Sequence, residues 1–242
     1  MEVVLGFIIA VAISLTGVGA GSLTTPLLIL VLGLGATESV GTALIFGAVV
    51  KLITAPVYWA RGQVSMPVLT RLLAGGLPGV LAGSLLLQGL QRGAMMAILG
   101  FTIMLIALVN LCRFAPQPRR DRSRWLPAIA FPIGAEVGFS SAGSGALGAL
   151  ALMSLTQLEA AAVVGTDLMF GLALSLVGGG IHAALGSYNA AVLVKLLIGG
   201  IAGAFTGVAL ASRVPARQLR FALLVVMVLL GAQLGVKGLF GR

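Results

Sequence analysis

The sequence predicts an all-α polytopic membrane protein made of two homologous repeats, and three observations carry that expectation. Apolar residues make up 59% of the chain and charged residues 9%, a balance that belongs to lipid-embedded rather than water-exposed folds. Apolar runs of about 20 residues recur along its length, enough for a helix to cross about 30 Å of hydrocarbon. Sliding the chain on itself by 124 residues makes about 24 of 71 positions identical between 17–87 and 141–211 without a gap, many of them glycines. Random apolar sequence does not align its glycines so regularly.

Eight apolar segments follow in order, giving room for about eight crossings. The first repeat, 1–112, reads as 3–34 (interrupted), 37–60, 66–90 and 93–112. The second, 125–242, reads as 125–157 (interrupted), 160–184, 188–211 and 216–239. Between them "RFAPQPRRDRSRW" carries five arginines against Asp121. Its prolines and charges predict a solvent-exposed linker, 113–124, on the cytoplasmic side by the positive-inside rule. The net charge of +9 is spread over loops and helix ends without interleaved aromatics, which argues against a nucleic-acid partner. The apolar N-terminus has no basic residue before it, so a cleaved signal is not expected. Cys112 is the single cysteine and is read as packing. If each interrupted segment crosses fully, the repeats are parallel. If each is a half-depth hairpin, they are inverted, the arrangement expected here because it is common among transporters.

The interruptions are "TGVGAGSLTTP" at 16–26 and "SSAGSGALGA" at 140–149, at equivalent positions of the two repeats. Irregular backbone at membrane depth survives only when buried in protein or lining a wet cavity. Close helix packing is one reading; a central binding site is the other, because paired breaks point to one. Thr25 before Pro26 resembles an N-cap followed by proline at the first helical position, whose open N–H groups and positive dipole end suit an anion. The second break lacks that proline, since Leu150 stands opposite Pro26. It offers Ser140, Ser141 and Ser144 instead.

Charges at membrane depth narrow the chemistry. Lys51, whose counterpart is Ser175, is either a substrate ligand or a snorkelling side chain. Arg71 and its counterpart Lys195 are read as interfacial anchors. Glu136 and Asp167 either carry a coupling proton or pair with Lys51. His182, opposite Tyr58, is a further proton-relay candidate or a hydrogen-bonded structural residue. Glu38 and Glu159 fall in short connections and are expected to be solvated. No metal-ligand cluster and no cofactor motif is present, and the lack of G-x-x-x-x-G-K-[ST] excludes ATP coupling within the chain.

"GVGAGSLTTPLL" followed by "SVGTALIFGAVVKLI", and repeated as "SAGSGALGALAL" and "VVGTDLMFGLALSLVGGGIHAALGSY", resembles the TauE/SafE sulfite exporter family. The likeness covers nearly the whole chain. It departs from the family's G-x-G-G-G runs at Ala20 and Ser144 and lacks the second proline. The resemblance implies a multi-pass protein of the cytoplasmic membrane moving small sulfur-containing anions, with lipid and substrate as partners. Carried over by position, the substrate path takes in Gly19, Gly21, Ser22, Thr24, Thr25 and Pro26 of the first break. It takes in Ser140, Ser141, Gly143, Ser144 and Gly145 of the second, and the pairs Gly41-Thr42 and Gly165-Thr166, with Lys51 assisting. Two other classes are weighed beside the carrier: an anion channel, and an intramembrane serine hydrolase using Ser144 and His182.

Overall fold

In the computed structural model the chain folds into helices throughout; residues 1–16, 20–88, 92–112, 121–210 and 216–240 are described, and no strand occurs among them. The helices are α1 Glu2–Thr16, α2 Ala20–Leu30, α3 Ala36–Ala60, α4 Met66–Gln88, α5 Arg92–Cys112, α6 Leu126–Ser140, α7 Leu147–Leu155, α8 Ala160–Ala184, α9 Ala190–Leu210 and α10 Ala216–Phe240, with a 3₁₀ turn Ser123–Trp125 before α6. Gly19, most of the linker and the Cys112 side chain lie outside the described residues.

Among the described residues six helices, α3, α4, α5, α8, α9 and α10, are long and apolar enough to span a membrane. The interrupted segments divide differently. At 1.5 Å per residue, α1 and α6 are each about 22 Å long, and α2 and α7 are shorter still, so no one of the four crosses about 30 Å of hydrocarbon alone.

Helix directions follow from close contacts. On α9, Gly199 lies against Val3 and Phe7 of α1, Gly203 against Phe7 and Ala10, and Gly207 against Val11 and Ser14. Residue numbers rise together, so α1 and α9 run parallel. On α4, Gly75 meets Pro127 and Phe131 of α6, Gly79 meets Phe131 and Ala135, and Gly83 meets Ala135; α4 and α6 are parallel too. Conversely, α3 and α8 run antiparallel, with Gly41 at His182, Gly178 at Leu44, Gly171 at Lys51 and Gly165 at Tyr58. So do α5 and α10, with Gly100 at Gly231 and Gly235. These contacts come in pairs offset by the same 124 residues as the sequence match, down to Gly76 on the Phe170 ring and Gly200 on the Phe46 ring.

Since α4 and α9 each return after the preceding helix, these directions make α1–α2 and α6–α7 two hairpins entering from opposite ends of the bundle. One end, the N-terminal face, carries the starts of α1, α3 and α9, where Lys195 Nζ lies 3.2 Å from Glu2 Oε1. The other, the linker face, carries the starts of α4, α6 and α8, where Arg71 donates to Ser123 Oγ. Arg71 and Lys195 thus tie down the start of a hairpin helix at opposite faces. Asp121, the acid of the linker, accepts the Ser123 backbone N–H at 2.9 Å, and that bond holds its carboxyl below the usual carboxylate range.

At the ends of α3 and α8 the chain turns through Gly62 (φ 68°) and Gly186 (φ 65°). Gln63 N reaches back to Tyr58 O at 3.0 Å and Ser187 N to His182 O at 2.9 Å, the six-to-one closure that demands a left-handed residue.

Candidate functional site

The two breaks meet inside the bundle. Gly21, at the start of α2, packs so closely on Ser141 that a Cβ there would lie 2.0 Å from Ser141 Oγ, and Thr25 Oγ1 and Ser141 Oγ share a 2.5 Å hydrogen bond. The second break is closed by its own hydroxyls. Ser140 Oγ donates to Glu136 Oε1 at 2.6 Å and accepts the Ala142 N–H at 3.1 Å. The loop then passes through Ser141 (φ 60°), Gly143 (φ 99°) and Gly145 (φ 92°) before α7 begins. Ser22, Thr24, Thr25, Ser140, Ser141 and Ser144 are all buried, so the described hydroxyls of both breaks are closed off from solvent in this conformation.

One expectation is corrected here. Thr25 and Pro26 do not start a helix: α2 begins at Ala20 and Pro26 lies inside it. Gly21, with no Cβ to meet Ser141, lets the start of α2 touch the other break. The proline then removes one main-chain hydrogen bond within an existing turn, while Thr25 turns its hydroxyl to Ser141 rather than to a helix start.

Lys51 occupies the centre of the bundle and is 3% exposed, which rules out snorkelling in this conformation. Its ammonium donates to Ser144 Oγ at 3.1 Å, Ser175 Oγ at 3.1 Å and Gly171 O at 3.2 Å. Three donors thus meet three acceptors, as a buried charge requires to offset several kcal/mol of lost hydration. Ser175 is the residue opposite Lys51 in the repeat alignment, so Lys51 sits near the middle of the α3–α8 crossing. Asp167 is buried and lies within electrostatic range of Lys51, its Oδ1 facing Gly148 of α7, where a Cβ would come within 2.0 Å. Gly171 leaves room for the ammonium, since a Cβ would lie 2.8 Å from Nζ and 3.0 Å from Ser144 Oγ. Sequence reasoning missed Gly148, Gly171 and Ser175 as parts of this centre. Gly171 carried a legible signal, because Phe170-Gly171 stands 124 residues after Phe46-Gly47 in the chain.

Other sequence-predicted residues lie elsewhere. Gly41 and Thr42 sit at the N-terminal face and Gly165 and Thr166 at the linker face, each docking a turn rather than facing the breaks. Glu38 is not merely solvated: it belongs to α3 and accepts Asn189 Nδ2 at 2.8 Å. Glu159 is exposed. His182 is fully buried. Its ring faces the Gly138 carbonyl without reaching hydrogen-bond geometry at either nitrogen. It stands about 16 Å along α8 from Gly171, whereas Ser144 is held by Lys51, so no Ser144–His182 dyad forms. Among the described residues, no cluster of His, Cys, Asp or Glu could hold a metal ion.

A bundle of membrane-length apolar helices with a satisfied lysine beside two joined helix breaks defines a multi-pass membrane protein with a polar centre. The sequence then places it: the chain matches the sulfite exporter TauE/SafE family over residues 3–234 and belongs to it. It is similar to the probable membrane transporter protein YjnA of Bacillus subtilis strain 168, 29% identical over 96% of this chain and 98% of that protein. No solved structure matches it. The chain is accordingly a membrane transporter rather than an enzyme.

Proposed function

We propose that the chain carries a small sulfur-containing anion, such as sulfite, a sulfonate or a sulfur-bearing organic acid, out across the cytoplasmic membrane by alternating access. The observation that carries this reading is the buried Lys51 ammonium, held on Ser144 of the second break where the first break joins at Thr25 and Ser141. An anion displacing Ser144 and Ser175 from Lys51 takes over ready-made cationic donors in a low-dielectric setting. The first turn of α2 and the hydroxyls of both breaks add further donors. Of the three coupling candidates Asp167 is the one within electrostatic range of Lys51, where it balances Lys51 and exchanges a proton as the anion enters and leaves.

The antiparallel pairs α3–α8 and α5–α10 support a duplication with inverted repeats, the architecture in which two related halves rock about a central site. In liposomes holding the purified protein, sulfite, sulfate, thiosulfate, taurine, sulfoacetate and chloride are offered in turn. At least one sulfur oxyanion is expected to show saturable, trans-stimulated uptake. Movement of none defeats the proposal, and linear, unsaturable flux makes the chain a channel.

A further inference from the structure

We propose that the two Gly-Thr pairs are the gates of the two faces, each closed by a turn from the opposite repeat. This rests on the alternating-access reading above. At the N-terminal face, the space where a Gly41 Cβ would stand is filled by Ser187 O at 2.0 Å, and Thr42 Oγ1 accepts the Asn189 N–H at 2.9 Å. At the linker face, Gln63 O stands 2.0 Å from the Cβ position of Gly165, and Thr166 Oγ1 accepts the Ser65 N–H at 3.0 Å. The first latch holds α3 to the start of α9; the second holds α8 to the start of α4.

Because α3 and α8 are antiparallel, the latches lie at opposite ends of one helix pair, with Lys51 between them. Both are shut here, which matches the burial of the break hydroxyls. A carrier must open one while the other stays closed, and each latch is one threonine hydrogen bond and a carbonyl contact, apart from the packing of α1 on α9 and α6 on α4. Glycine is needed in each because a carbonyl closes against the helix backbone. The threonine is needed because the first N–H groups of α4 and α9 have no partner within their own helices.

The latches are unequal. Glu38 Oε1 accepts Asn189 Nδ2 at 2.8 Å, and Asn189 Oδ1 in turn accepts the Val192 N–H at 3.0 Å. Ala162 stands where the linker-face latch would need its carboxylate, and Ser65 takes the place of Asn189. The N-terminal-face latch therefore holds more tightly, and the resting protein opens more readily to the linker face.

The test uses the full chain with Cys112→Ser and either T42C/N189C or S65C/T166C, bridged by a short bifunctional methanethiosulfonate that reductant removes. Each variant serves as its own folding control, reduced against bridged. Bridging either pair is expected to stop liposomal exchange of sulfoacetate, a sulfonate that leaves the bridging disulfides intact, with recovery on reduction; undiminished exchange by the bridged protein overturns the proposal. Hydrogen exchange reads the latches without any substrate. Bridging is expected to slow deuterium uptake in 20–26 and 140–147, and equal uptake overturns the proposal even if no anion moves, a separate outcome that defeats only the transport reading. Glu38→Ala is expected to speed uptake in 185–192 by about threefold or more while leaving 61–66 unchanged. An unchanged rate in 185–192 overturns the inequality of the gates.

Discussion

Lys51 concentrates the chemistry of this chain in one ammonium. Unpaired it would not survive burial, yet its three partners are two hydroxyls and a carbonyl rather than a contacting carboxylate. Hydroxyl oxygens are weaker partners for an ammonium than an anionic oxygen is, so the arrangement satisfies the charge and still leaves an anion something to gain. Lys51→Met removes the charge and its desolvation cost but leaves the buried Asp167 without the charge beside it, and removing one side of a buried pair is destabilising. The variant is expected to lower the thermal midpoint in detergent and, per folded protein, to lose transport about tenfold or more; unchanged uptake per folded protein would remove Lys51 from the site. Gly171→Ala is a finer probe. Its methyl would meet the far end of the flexible Lys51 side chain and the Ser144 hydroxyl, atoms that can shift cheaply. Stability is expected to hold while substrate affinity falls severalfold, read as a raised half-saturation concentration.

Among the elements, glycines decide how closely helices approach. Gly199 on α9 stands where a Cβ would lie 1.8 Å from Val3 O, and its counterpart Gly75 on α4 where a Cβ would lie 1.9 Å from Pro127 O. Main-chain atoms cannot yield as a side-chain tip can. Gly199→Ala is therefore expected to force α1 away from α9 and to cost about 1–3 kcal/mol, seen as a lowered thermal midpoint. Gly180→Ala on α8, where a Cβ meets nothing within 4 Å, is expected to leave it unchanged. These glycines were legible in the sequence because the 124-residue match is densest there, and the ends of the long helices follow the apolar runs to within a few residues. The path through the interruptions was not legible. Alternation between apolar and small residues looks the same whether a chain crosses or turns back, and Thr25-Pro26 carries a helix-start signal that the Gly21–Ser141 contact overrides. Nor did the Gly-Thr pairs announce their distance from the breaks, since sequence separation along an antiparallel helix pair says nothing of which residues share an end.

The whole molecule is governed by the opposed entry of the two hairpins. With α1 and α3 starting at one face of the bundle, residues 1 and 36 are expected on the same side of the membrane, as a hairpin requires and a full crossing forbids. The charge distribution then acquires a direction that the unfolded sequence withheld. Among the described residues, Arg61, Arg71, Arg122, Arg124, Arg217 and Arg220 belong to helix ends and connections at the linker face, Arg92, Lys195 and Lys237 to the N-terminal face, and Lys51 lies between. Positive charge resists translocation, so the linker face is expected in the cytoplasm and the N-terminal face outside. In a Cys112→Ser background, single cysteines at Val31 and Leu185 should react with a membrane-impermeant maleimide added to intact cells. Cysteines at Arg61 and Arg124 should react only after the membrane is opened. All four side chains are exposed, so failure to label reports sidedness rather than burial. Labelling of Val31 and Leu185 from opposite sides would break the hairpin topology and the inverted repeats with it. Labelling of both pairs in reverse would keep the fold and turn the carrier over in the membrane, leaving the more readily opened gate facing outward.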